Sequence, residues 1–268
     1  MSKPLFFGSR DRPLFGVYHS PTAGSPAERA VVLCHPLPQE YGSVHWVFRR
    51  LAALLAQRGA HVLRFDYHGT GDSGGEGGET TFESMVQDTR IAASELVDAC
   101  GVRRVSIIGM RFGAAVAARV RDTAVRDVVL WEPVLRGRDH LEELRRVHRK
   151  REVNWLLPRA RPARGEEDLL GYPRYDVTRR SIEGVDLATG PWTDARSFTV
   201  VVSSERPEHR ALESALGAAG KKVRLVVAED PAGDVASKAG AALVSTSVLA
   251  HVADAVVAPS SDIGGARP

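Results

Sequence analysis

Gly109-Met110-Arg111-Phe112-Gly113 sets one side chain between two glycines, after the apolar run Arg104-Val105-Ser106-Ile107-Ile108 and before a stretch of small residues. A strand-turn-helix junction of this kind presents its middle side chain at the end of a sheet, where a serine would be an exposed nucleophile. Arginine cannot fill that role. Its guanidinium stays protonated at any relevant pH and has no free lone pair with which to attack a carbonyl. What it has is five donors in a planar fork, suited to a carboxylate or a phosphate.

Other side chains that can do chemistry lie upstream. Cys34 ends an apolar run and reads as a small buried hydrophobe. His35 follows it at the strand end, a better place for acid-base work. In Gln39-Glu40-Tyr41-Gly42-Ser43-Val44-His45, Glu40 and His45 can supply an acid and a base, or be a helix-start carboxylate and a surface imidazole. The run Gly69-Thr70-Gly71-Asp72-Ser73-Gly74-Gly75 lacks the lysine of a nucleotide-binding loop and reads as a mobile linker. The His, Asp and Glu residues show no metal-ligand spacing, so no metal and no cofactor are expected.

The elements that must position these residues alternate along the chain. Leu5-Phe6-Phe7 and Leu14 to Tyr18 flank a polar turn and predict a hairpin. Strands are predicted at 30–34, 61–65, 104–108, 128–131, 198–202 and 223–227. Between them come a helix with Val47 to Leu55 on one face that ends at Gly59, helices over 81–99 and 112–120, one between the last two strands, and a final one around 243–256. Strands alternating with helices require crossovers, hence an α/β fold with a mostly parallel sheet and helices on both faces.

The chain has 268 residues, 43% hydrophobic and 26% charged, ample for a real core. No stretch approaches a membrane span, and the apolar run at the start is too short for a signal peptide. Two cysteines, Cys34 and Cys100, make no disulfide framework. A cytoplasmic protein with reduced thiols is expected. A net charge of +3 is too small a surplus to argue for nucleic acid.

Residues 135–195 break the strand rhythm with a charged, proline-punctuated insertion. From Leu135 to Arg180 there are thirteen Lys/Arg against eight Asp/Glu. Such a segment is either a solvated helical excursion or a lid over the strand ends, where open α/β sheets bind ligands. A basic lid would draw in an anion. The expected organisation is a core of 1–134 and 196–258, a cap or lid of 135–195, and a flexible tail of 259–268.

Taken in order, these motifs resemble the α/β-hydrolase superfamily from roughly Leu14 to Val256. The glycine-bounded turn matches its nucleophile elbow, and His35-Pro36-Leu37 its oxyanion loop. Phe65-Asp66-Tyr67-His68-Gly69-Thr70-Gly71-Asp72-Ser73 matches the segment after its fourth strand, and the insertion after Trp131-Glu132-Pro133-Val134 its helical cap. Within it, the chain resembles a bacterial subgroup of serine-aminopeptidase-like and exosortase-associated hydrolases, some members of which have arginine at the elbow.

The resemblance implies a serine where Arg111 stands, and a histidine in the loop after the last strand. That loop, Glu229-Asp230-Pro231-Ala232-Gly233-Asp234-Val235-Ala236-Ser237-Lys238, has none, and His251 reads as an ordinary helix residue. The acid is expected at Glu205 or Glu132, but an acid without its histidine orients nothing. Histidine at the place of His35 is mainly structural in the family. The oxyanion donors implied are the N–H groups of Phe112 and Leu37, the former helped by a helix dipole.

The expected ligand-binding set is therefore Leu37, Gln39, Glu40, Met110, Arg111, Phe112 and Glu132, with His35 and Glu40 as candidates for catalysis. Three functions remain open. The first is a non-hydrolytic protein that binds an acidic small molecule, peptide or acyl carrier. The second is an epimerase, isomerase or ring-opening enzyme of natural-product biosynthesis, and the third a hydrolase with an unconventional nucleophile. Arg111 itself either meets the ligand or folds back onto Glu132 or Glu205 as a plug.

Overall fold

The computed structural model describes residues 2–22, 29–152, 166–229 and 245–257. β1 (Ser2–Ser9) and β2 (Arg12–His19) form the predicted hairpin, which joins the sheet antiparallel to β4 (Ala60–Phe65). β3 (Arg29–Cys34), β5 (Val105–Met110), β6 (Val125–Trp131), β9 (Ser197–Val202) and β10 (Lys222–Val227) complete an eight-stranded sheet in the order β1-β2-β4-β3-β5-β6-β9-β10. Every pair from β4 to β10 is parallel.

The continuous apolar run of β3 follows from its central place. Ala30, Val32 and Cys34 pack into one buried cluster and Val31 and Leu33 into another, because successive side chains point to opposite faces. The first cluster is closed by α2 (Phe82–Cys100), α3 (Phe112–Ala117) and α6 (Pro207–Ala218). The second is closed by α1 (Pro38–Gln57) and α7 (Thr246–Val257). Among the described residues no helix is long and apolar enough to cross a membrane.

Two helices differ from their predicted bounds in ways that matter. α1 starts at Pro38, with proline at its first position where the missing N–H costs nothing, so Glu40 lies in its first turn. α3 stops at Ala117, and its six residues carry far less dipole than the expected longer helix. The segment between β6 and β9 holds α4 (Gly137–Glu152), a two-stranded ribbon of β7 (Glu166–Leu169) and β8 (Tyr172–Tyr175), and α5 (Asp176–Glu183). The polar ribbon gave no strand signal in the sequence. The expected tail, 259–268, lies outside the described residues.

Gly109 and Gly113 let β5, α3 and the β3–α1 loop approach one another. A Cβ on Gly109 would overlap the Gly113 carbonyl, and one on Gly113 would overlap the carbonyls of Cys34 and His35. Backbone cannot yield as a side chain can. Gly113→Ala is expected to lower stability in urea by about 1–3 kcal/mol or more; an unchanged midpoint would refute this packing.

Candidate functional site

Arg111 occupies the turn between β5 and α3 with φ 55° and ψ −120°, a conformation rare for a residue with a side chain. The backbone around it is over-determined. Arg111 N–H donates to the Trp131 carbonyl (2.9 Å), and its own carbonyl accepts from Ala114 N (3.1 Å) and Val134 N (3.2 Å). Strain of roughly 1–3 kcal/mol is held in place by such contacts.

The Arg111 side chain is only 11% exposed, and two carboxylates answer its charge. Nε donates to Glu40 Oε1 and Nη2 to Glu143 Oε2, each at 3.0 Å. Glu40 comes from the first turn of α1 and Glu143 from α4. His140, one turn before Glu143 on the same face of α4, completes the group. Its Nε2 lies 3.1 Å from Glu40 Oε2 and its Nδ1 3.5 Å from Glu143 Oε2. The imidazole is 1% exposed and stacks on Phe112, with ring centroids 6.4 Å apart.

Burial alone would penalise every charge here; the mutual pairing outweighs it. Burial raises Glu40, but His140 and Arg111 pull it down to about 2. Burial lowers His140, but Glu40 and Glu143 raise it above its ordinary 6.5. Glu143 is likewise held low by His140 and Arg111 despite its burial, and Arg111 is raised by both carboxylates. With His140 protonated, two cations face two anions and the cluster is neutral.

Of the residues expected at the site, Arg111, Glu40 and Phe112 are brought together. The plug partners differ from those expected. Glu205 pairs with Arg210 on the exposed face of α6 (2.6 and 2.9 Å), and Glu132 accepts from the backbone N–H of Ser203, so neither answers Arg111. Glu132 does sit next to the turn, itself at a positive φ of 45°. Leu37 is buried before α1, its carbonyl accepting from Glu40 N (2.9 Å) and Tyr41 N (3.0 Å). Gln39 is half-buried, and Met110 is fully buried in the cluster closed by α1 and α7.

His35 is packed as a structural residue. Its Nδ1 bonds the Pro36 carbonyl (2.6 Å), and its ring lies against Tyr41 and Tyr67 at 4.1 and 4.4 Å. Burial lowers its pKa, which keeps it neutral, and it shares no hydrogen bond with Arg111, Glu40 or His140. Burial pushes the Cys34 thiol up to about 12, so it carries no thiolate at neutral pH. His45 is exposed, bonded to the Gly42 carbonyl (3.0 Å), and His251 is exposed on α7. The glycine run at 69–75, expected as a mobile linker, instead closes on itself through Gly69 N to Gly74 O (2.8 Å) and Ser73 Oγ to Asp66 O (2.6 Å). Most of the loop after β10 (230–244) lies outside the described residues.

His140 and Glu143 were missed by sequence reasoning. The available signal was their spacing of three on a helix beside Leu141 and Leu144, which places them on the inward face of α4. No group of three or more His, Cys, Asp or Glu is placed to hold a metal among the described residues.

The parallel sheet with helices on both faces and the strained turn at Arg111 define an α/β-hydrolase fold. Residues 25–186 match the family described as serine aminopeptidase, S33 (Hydrolase_4), and the chain belongs to that family. No curated protein matches the chain in sequence. Among solved structures, it is similar to an esterase of Pyrococcus furiosus, with 19% identity over 85% of this chain and 81% of that one, at a TM-score of 0.62. It is also similar to DcsB in complex with its substrate analogue, with 14% identity, 97% and 100% coverage and a TM-score of 0.64. The bottromycin epimerase BotH in complex with bottromycin A2 shares 20% identity over 95% and 98%, at a TM-score of 0.60. At these identities the likeness speaks for the fold.

Proposed function

We propose that this hydrolase-fold protein binds a small molecule, peptide or acyl group at the strand ends without serine hydrolysis, with residues 135–195 acting as a cap. The observation that carries the reading is the elbow itself. Its side chain is an arginine, and that arginine is tied to Glu40 on the core and Glu143 on α4. A water or a distant hydroxyl would have to work around this cluster, and the chain has no histidine between Glu229 and Ala250 to act as base. An acidic ligand is favoured where it takes the place of one carboxylate of this neutral cluster, since the guanidinium and imidazolium would otherwise keep one unanswered positive charge.

A second reading, non-hydrolytic acid-base catalysis such as epimerisation or isomerisation, is favoured by His140. Its proton is held between Glu40 and Glu143, and a ligand that displaced Glu143 would meet the Nδ1–H as a general acid. The likeness to a bottromycin epimerase supports this fold in a reaction other than hydrolysis.

The test is direct. The protein is expected to resist labelling by a fluorophosphonate and to leave p-nitrophenyl esters and aminoacyl anilides at the buffer rate. Stoichiometric labelling of a serine would overturn the proposal.

A further inference from the structure

Resting on the reading that this site binds and does not hydrolyse, we propose that Arg111 and His140 form a receptor for a single carboxylate, and that Glu143 is its built-in occupant. The two carboxylates of the cluster are not equivalent. Glu40 uses both oxygens, Oε1 on Arg111 Nε and Oε2 on His140 Nε2, and its side chain is 19% exposed. It is a fixed part of the wall. Glu143 uses one oxygen for two contacts, Oε2 lying 3.0 Å from Arg111 Nη2 and 3.5 Å from His140 Nδ1. Its side chain is 37% exposed, while the cations it touches are 11% and 1% exposed. A solvent-facing carboxylate thus caps two buried donors that no other described group occupies in its place.

Charge decides the class of ligand. The groups facing His140 are Glu40 from α1, Arg111 from the elbow and Glu143 from its own helix, with the Phe112 ring beneath. If Glu143 swings out, Arg111 and protonated His140 leave one uncompensated positive charge against Glu40. One monoanion restores neutrality; a phosphate dianion overshoots it inside a poorly solvated site. The donors are also those a planar carboxylate takes, a guanidinium N–H and an imidazolium N–H. Glu143 would then act as an internal competitor that keeps weak acids out and yields to ligands with further contacts beneath the cap.

The probe is acetate at constant ionic strength, read on the ring resonances of His140. In Glu143→Ala the His140 pKa falls, and acetate restores it saturably. Its affinity is expected to be at least about tenfold tighter than in wild type, where Glu143 must first be displaced. Glu143→Gln, which keeps the side chain's bulk, guards against local collapse and is expected to gain acetate affinity as well. Acetamide gives no response. N-acetylalanine binding more tightly than acetate assigns the carboxylate to a peptide or acylamino acid terminus; equal affinity assigns a free small acid. An identical response to acetate and chloride in both variants, or tighter binding of phosphate than of acetate, would overturn the proposal. Ester turnover by the wild type would defeat the non-hydrolytic reading while leaving this titration intact.

Discussion

Arg111→Met is expected to destabilise the protein by about 3–5 kcal/mol in urea denaturation at pH 6, a large share of a domain's stability. The methionine replaces the stem but not the charge. Glu40 is then left with His140 as its one ionic partner, and Glu143 loses its 3.0 Å contact. The cost comes from depriving the largely buried Glu40 of a partner more than from any net value of the ion pairs, since a charge loses its hydration on entering such a site. The variant also retains the positive φ of the turn, so no backbone strain is relieved. A loss below about 1 kcal/mol would place Arg111 among surface ion pairs.

The second large effect is a pH window centred on the same cluster. Glu40 is depressed from 4.5 to about 2, so its contribution is fully present above pH 4.5 and is lost as pH falls towards 2. A shift of that size corresponds to about 3 kcal/mol. His140 is shifted the other way: its contribution is complete below 6.5 and is lost as pH rises through its raised folded value. The cluster therefore stabilises most between about pH 4.5 and 6.5. His19, lowered to about 4, and His35, also lowered, both weaken the fold as pH drops below 6.5. The difference between wild type and His140→Gln isolates the cluster from them. That difference is expected to be largest between pH 5 and 6 and to shrink by pH 9. A pH-independent difference would refute an ionised His140.

Much of the fold could be read from the chain because its physical cause is local. The runs at 30–34 and 198–202 are apolar on both faces, as central parallel strands must be, and they fall in β3 and β9. The turn at Arg111 announced itself by Gly109 and Gly113, whose missing side chains make room for the backbone of α3 at Gly109 and of the β3–α1 loop at Gly113. Glu40 was named both as a possible acid and as a helix-start carboxylate, and it lies in the first turn of α1.

The cluster as a whole was not legible. It joins residues 71, 32 and 100 positions apart in sequence, and nothing in a charged insertion says which acid will be desolvated. Glu143 reads like Glu142 beside it, yet Glu142 faces solvent and Glu143 meets Arg111. The same reasoning misassigned the plug partners. Glu132 and Glu205 were chosen by their place after strands, whereas a local salt bridge holds Glu205 and the Ser203 backbone engages Glu132.

The elbow arginine is committed to an internal ion network. A double-mutant cycle of Arg111→Met and Glu40→Gln, by urea denaturation at pH 6, measures that commitment. The geometry predicts a coupling of at least about 2 kcal/mol, the double variant losing much less than the two single losses together. Additive losses, with coupling below about 0.5 kcal/mol, would mean that the two side chains do not hold each other and would contradict it.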